Sequence, residues 1–204
     1  NHPSFELVGG VDPLLENTKL FEETTKSKGY KNIDDFFKDN NADIASICVP
    51  NNEKLETIEK IASYGTKFIL LEKPIVTSKE DLVKLESIKA KYDLKIEVNY
   101  VRSFFPFIKN LKKQIASGDF GELLSGKIQY VKGLLNNGSH YLNIIFSLFG
   151  IPRDFKIISY IDSYKDDPTL EFALYYPSGT IVFQALPQNT YTVGEMDLCF
   201  KNKR

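Results

Sequence analysis

The stretch DIASICVPNNEKLETIEKIASYGTKFILLEKP, residues 43–74, decides the fold. Asp43 to Val49 is an almost unbroken apolar run stopped by Pro50. Residues 51–64 then carry Leu55, Ile58, Ile61 and Ala62 at helical spacing. Lys67 to Leu71 is a second apolar run, stopped by Glu72-Lys73-Pro74. Strands apolar along their whole length, alternating with helices, predict a parallel sheet covered on both faces.

The pattern continues on both sides. Upstream, Phe5 to Val11 reads as a strand ending at Asp12-Pro13, residues 14–28 as a helix, and Ile33 to Lys38 as a short helix. Downstream, Ser78 with Asp81 forms a capping box. It opens a helix whose inner face is Leu82, Leu85 and Ile88, and Lys95 to Asn99 is a further strand. With right-handed crossovers this gives a doubly wound, Rossmann-type sheet. Near residue 100 the character changes. Phe104, Ile108, Leu111 and Ile115 form a helical stripe closed by Gly118, and a long strand runs from Gly121 towards Lys132. Asn136-Asn137-Gly138-Ser139-His140 opens a helix ended by Gly150 and Pro152. Beyond Asp154 the alternation of Leu170, Phe172, Leu174 and Tyr176, the turn Pro177-Ser178-Gly179, and Ile181, Phe183 and Ala185 predict an antiparallel sheet with one face covered. The expected fold is α/β followed by α+β, with domains at residues 1–100 and 101–204.

Composition narrows the function. Charged residues make up 26% of the 204 and the net charge is -1, which argues against an electrostatic footprint for nucleic acid. No apolar run approaches the ~18 residues of a membrane helix. The two cysteines, Cys48 and Cys199, have no metal-like or disulfide spacing. Cys48, inside an apolar run, reads as a small buried hydrophobe, and a reducing cytoplasmic setting is expected. The N-terminus has no signal-peptide pattern and no initiator Met, which suggests a chain that begins inside a longer protein.

In open α/β sheets ligands bind beyond the carboxyl ends of the strands. The residues there are Asp12, then Pro50-Asn51-Asn52, then Glu72-Lys73-Pro74, then Tyr100 and Arg102. Parallel strands would line them along one edge. Asp12 has two readings: a ribose-binding carboxylate that favours NAD over NADP, or a helix-start turn. Asn51 could line the nicotinamide ribose or simply cap its helix. Lys73, held extended before proline, suits proton transfer near a nicotinamide ring. A surface lysine in a loop is the plain alternative. His140, at a helix start, could exchange a proton with substrate or be structural.

Taken together these residues resemble the glucose–fructose oxidoreductase / inositol dehydrogenase / MocA (Gfo/Idh/MocA) family. The resemblance is carried by Val11-Asp12-Pro13, Ile47-Cys48-Val49-Pro50-Asn51, Leu71-Glu72-Lys73-Pro74, Tyr100-Val101-Arg102, Gly118-Asp119-Phe120-Gly121 and Gly138-Ser139-His140 with Asn143. It implies hydride transfer between NAD(P) and a hydroxyl carbon of a sugar, inositol or nucleotide-linked sugar. It implies Lys73 and His140 as catalytic residues. Asp12, Pro50, Asn51, Glu72, Lys73 and Pro74 would contact the cofactor, and Lys73, Arg102, Lys132, Asn136, Asn137 and His140 the substrate. No metal is implied. Pairing of two copies through the exposed face of the C-terminal sheet is.

The chain departs from the pattern in four ways. There is no G-x-G-x-x-G, so the first strand, the glycine loop and most of the first helix are expected to be missing, and the chain as it stands is expected to bind NAD poorly. Asn136 stands where the family often has Asp, and Asn143 replaces the usual Asp after the histidine. The C-terminal sheet is expected to lack its last strands. The competing reading is a non-catalytic sugar or nucleotide sensor on the same fold.

Overall fold

The computed structural model describes residues 3–165, 167–188 and 191–204. The chain divides into two compact units, residues 1–99 and 100–204.

The first unit is a run of strands and helices: β1 (Gly10–Val11), α1 (Leu15–Thr25), β2 (Gly29–Tyr30), α2 (Ile33–Asp39), β3 (Ile44–Ile47), α3 (Lys54–Ser63), β4 (Phe68–Leu71), α4 (Lys79–Tyr92) and β5 (Lys95–Val98). β1 and β2 pair in parallel as one small sheet, and β3, β4 and β5 pair in parallel, in that order, as another. Side chains set the helix starts. The Ser78 hydroxyl accepts from the Asp81 N–H at 3.1 Å, and the Asn32 side chain accepts from the Asp35 N–H at 2.8 Å. The core lies between the larger sheet and two helices. Ile47, Ile69 and Leu71 of the strands meet Ile58, Ile61 and Ala62 of α3 and Leu85 and Ile88 of α4. Ile58, Leu71 and Leu85 are fully buried, and each side chain contributes about 1.5–3 kcal/mol by leaving water.

Three expectations need correction here. The β3–β5 sheet is covered on one face only: Ile44, Phe68 and Leu70 point the other way and are 46%, 45% and 37% exposed. α3 and α4 pack on the same side, and no described element covers the opposite one. The strand expected from Phe5 to Val11 is ordered as a ladder only at Gly10–Val11, because its partner β2 is two residues long. Cys48 is exposed, since it lies just past the end of β3 and outside the packed strand. Gly10 has a packing role. A Cβ there would come within 2.8 Å of the Phe21 ring of α1, so only glycine lets helix and strand approach this closely.

The second unit is α5 (Pro106–Ala116), β6 (Leu123–Tyr130), a π-helical turn at Leu134–Gly138, α6 (Ser139–Phe149), β7 (Asp154–Tyr164), β8 (Asp167–Tyr175), β9 (Thr180–Ala185) and β10 (Gly194–Phe200). Its sheet has the order β10-β6-β9-β8-β7 and is antiparallel except where β6 and β9 run parallel. Ile128, Tyr130, Phe172, Leu174, Ile181, Phe183, Leu198 and Phe200 point to one face, where Ile115 of α5 and Ile145 and Phe149 of α6 cover them. Rossmann-like parallel sheets are thus followed by a mostly antiparallel C-terminal sheet, as expected from the sequence.

Candidate active site

In the first unit the backbone ladder runs past the carboxyl ends of β3, β4 and β5. The Glu72 N–H donates to the Ile47 carbonyl at 3.1 Å, and the Asn99 N–H to the Leu71 carbonyl at 2.8 Å. Pro50-Asn51 and Glu72-Lys73-Pro74 therefore follow neighbouring strands of one sheet at the same end. The Lys73–Pro74 peptide is cis. Glu72, Lys73 and Pro74 are all half-buried.

Two side chains hold this corner. The Asn99 amide donates to the Glu72 carboxylate at 2.6 Å. The Lys54 ammonium donates to the Glu72 carbonyl at 2.8 Å and to the Pro74 carbonyl at 2.5 Å. Lys54 is 3% exposed. Burial pushes its pKa below the ordinary 10.5, the Glu72 carboxylate opposes that, and the Lys73 charge adds to it. The sequence reading passed over Lys54. The available signal was position: Lys54 precedes Ile58 by one helical turn, so it is a charge on the apolar face of α3.

Asn51 does not cap a helix. It begins a single 3-10 turn, Asn51–Glu53, and the start of α3 has no side-chain cap. Asp12 belongs to the smaller sheet. Its N–H donates to the Tyr30 carbonyl at 3.0 Å, and its carboxylate accepts from the Leu14 N–H at 2.9 Å. The turn reading of Asp12 is thus realised by one of its two oxygens.

The second unit gathers another set. His140 is the second residue of α6 and lies edge-on to Tyr100, with ring centroids 5.7 Å apart. Burial raises the Tyr100 pKa, while its hydrogen bond with Ser139 pulls it back. The Arg102 guanidinium lies 5.4 Å from the centre of the Tyr141 ring. Ser103 donates to Asn143, so the residue that departs from the family's usual Asp has a partner inside the fold. Lys132 is in the left-handed region at φ 65° and reaches the Thr192 hydroxyl at 3.2 Å. The Asn136 and Asn137 amides donate to the carbonyls of Lys132 and Val131 at 3.2 and 3.0 Å. Asp167, which the sequence reading did not single out, fixes this segment. Its carboxylate accepts from the N–H groups of Leu135 and Asn136 at 2.9 and 2.6 Å. No short-range pattern marks it, because its partners lie 31 and 32 residues earlier.

The residues present fit parts of a dinucleotide. A carboxylate after β1 suits ribose hydroxyls, and a half-buried lysine at a sheet's carboxyl end suits the nicotinamide end. Neither Gly9 nor Gly10 offers a phosphate cradle, for both are packed against Phe36 and Phe21 rings. Among the described residues no group of His, Cys, Asp or Glu is arranged to hold a metal ion, and no helix is long and apolar enough to cross a membrane.

Residues 1–100 match the family model described as "Oxidoreductase family, NAD-binding Rossmann fold". The Rhizobium meliloti rhizopine catabolism protein MocA is 30% identical over 118 residues, 58% of this chain and 37% of that protein. Inositol 2-dehydrogenase of Corynebacterium glutamicum is 26% identical over 144 residues, 69% of this chain and 41% of that enzyme. The chain thus spans well under half the length of these curated relatives. The WlbA dehydrogenase of Bordetella pertussis, solved in complex with NADH and UDP-GlcNAcA, superposes with a TM-score of 0.81 at 18% identity, over 96% of this chain and 64% of that one, a likeness of fold. On the match of its first hundred residues and its curated relatives, the chain belongs to the Gfo/Idh/MocA family of oxidoreductases.

Proposed function

We propose that the protein is an NAD(P)-dependent dehydrogenase that moves hydride between the nicotinamide and a hydroxyl carbon of a sugar, inositol or nucleotide-linked sugar. The observation that carries this reading is the Glu72–Lys73–Pro74 corner, held from two sides at the carboxyl end of a parallel sheet. When bound, the nicotinamide supplies the hydride acceptor or donor. The chain's own residues handle the proton and the binding. Lys73 and His140 are the catalytic pair, one of which relays the proton of the substrate hydroxyl as hydride leaves. Arg102, Lys132, Asn136 and Asn137 orient the substrate hydroxyls. Asp12 accepts hydrogen bonds from the adenosine ribose and disfavours a 2′-phosphate, so NAD is the preferred cofactor. Residues 1–100 supply the dinucleotide-binding part and residues 101–204 the substrate-binding part.

The test is NADH formation by the intact protein against a panel of sugars, inositols and nucleotide sugars. Lys73→Ala should lower kcat at least ~100-fold, within the range of a lost general base. Hydride transfer at a near-normal rate in that variant would overturn the role of Lys73. Sugar binding without any hydride transfer in the wild type would favour a sensor instead.

A further inference from the structure

We infer that Lys54 is a positioning residue, whose buried ammonium clamps the Glu72–Pro74 corner and so fixes where Lys73 stands. The inference rests on the reading of Lys73 as the proton-transfer residue.

Lys54 breaks several local rules at once. A lysine that is 3% exposed has lost nearly all of its water. It is the first residue of α3, where the helix dipole disfavours a cation. It also feels the charge of Lys73. Against these costs stand the two carbonyls and the Glu72 carboxylate. An apolar side chain of the same length would fill the space without any of the costs. What it could not do is tie the carbonyl before Lys73 and the carbonyl after it to one point. The two acceptors belong to Glu72 and Pro74, so the clamp brackets Lys73 and nothing else. The Asn99–Glu72 bond restrains the same corner from β5. A local rule broken at a candidate active site, with a geometric gain there, is the pattern expected of function rather than of stability. Proton transfer depends on placement, and a shift of ~1 Å in a reacting group can cost ~100-fold in rate.

The test uses the intact protein with Lys54→Met, which keeps the length and removes charge and donors, and with Lys54→Gln as a milder second variant. Two readouts are needed. Amide hydrogen exchange over residues 72–76 should speed up in Lys54→Met while exchange in β4 and α3 stays as in the wild type. In NADH-forming assays kcat should fall ~10–100-fold, with KM for cofactor and sugar changing less than ~3-fold. In a Lys73→Ala background, Lys54→Met should cost less than ~3-fold further, because the two act through one group. Unchanged exchange at the corner would overturn the clamp. Faster exchange with unchanged kcat, or full additivity with Lys73→Ala, would overturn the positioning role. Should Lys54→Met fail to fold, Lys54→Gln gives the same readouts. A wild type that transfers hydride to or from none of the panel sinks the proposed function instead, and the exchange experiment then still decides whether the clamp exists.

Discussion

At Lys54 the chain places an ammonium in the apolar face of α3, and desolvation lowers its pKa from 10.5. The sign of the consequence is fixed. A lysine whose folded pKa lies below its unfolded value loses its proton in the folded state first. The unfolded chain then holds more protons, so this group makes stability rise as pH climbs through the folded pKa towards 10.5. Lys54→Met has no such rise. Melting curves from neutral pH up to 10.5 should therefore show the stability difference, wild type minus variant, growing with pH. A difference independent of pH would mean that burial does not govern this lysine. Asp12 shows the other side of residue-scale reading. Both of its sequence-level readings start from the same carboxylate, and the structure adds the Leu14 hydrogen bond to one oxygen without excluding a ligand at the other.

The elements divide into those announced by their own residues and those made by distant ones. The starts of α2 and α4 were written in Asn32 and Ser78, each three residues before the N–H it accepts from. The π-helical turn at Leu134–Gly138 was not written locally. It depends on Gly133 at φ 81°, where a Cβ would run into the Asp167 carboxylate, and on that carboxylate receiving two N–H groups of the turn. Asp167→Ala should thus destabilise the protein by about 1–2 kcal/mol, as does the loss of a helix-start acceptor. Urea unfolding measures it, and a change within ~0.3 kcal/mol would show the turn to be held by other contacts. Tyr130 plays a similar part inside the sheet. Its hydroxyl donates to the Leu170 carbonyl at 2.6 Å and accepts from the Leu170 N–H at 3.1 Å, and burial pushes its pKa up to about 12. A tyrosine held neutral in the fold loses stability to the unfolded chain between its ordinary pKa of 10.0 and about 12. Tyr130→Phe should flatten that alkaline loss and cost about 1–3 kcal/mol at neutral pH, since it leaves a buried N–H and carbonyl short of a partner. An unchanged alkaline limb would locate the loss elsewhere.

At the scale of the molecule the C-terminal sheet has one face on α5 and α6 and the other open. The open face carries Ser125, Lys127 and Gln129 of β6 beside Thr180, Val182 and Gln184 of β9, with a Gln129–Gln184 hydrogen bond at 3.0 Å. Mixed polar and apolar surface of this kind is ordinary for contacts between separately folded copies. We expect two copies to pair through it. Sedimentation of the intact protein should show a dimer, and Val182→Arg, which puts a cation in the middle of the face, should shift it to monomer. A wild type that is monomeric at all concentrations, or a variant that pairs unchanged, rules this face out.

The sequence by itself determined the order of strands and helices apart from the two-residue β2, the parallel character of the first unit and the antiparallel character of the second, and the corner at Glu72-Lys73-Pro74. These follow from local causes: hydrophobic period, caps and chain-stopping prolines. Only the tertiary structure decided which faces are covered, so that Ile44, Phe68 and Leu70 stand exposed although their two strands looked buried on both sides. Only it showed that Cys48 lies outside the core, that Lys54 holds the corner around Lys73, and that Asp167 holds the turn just before His140. The reason is range. A period is read from neighbours in the chain, whereas Lys54 finds its acceptors 18 and 20 residues away and Asp167 finds its donors 31 and 32 away.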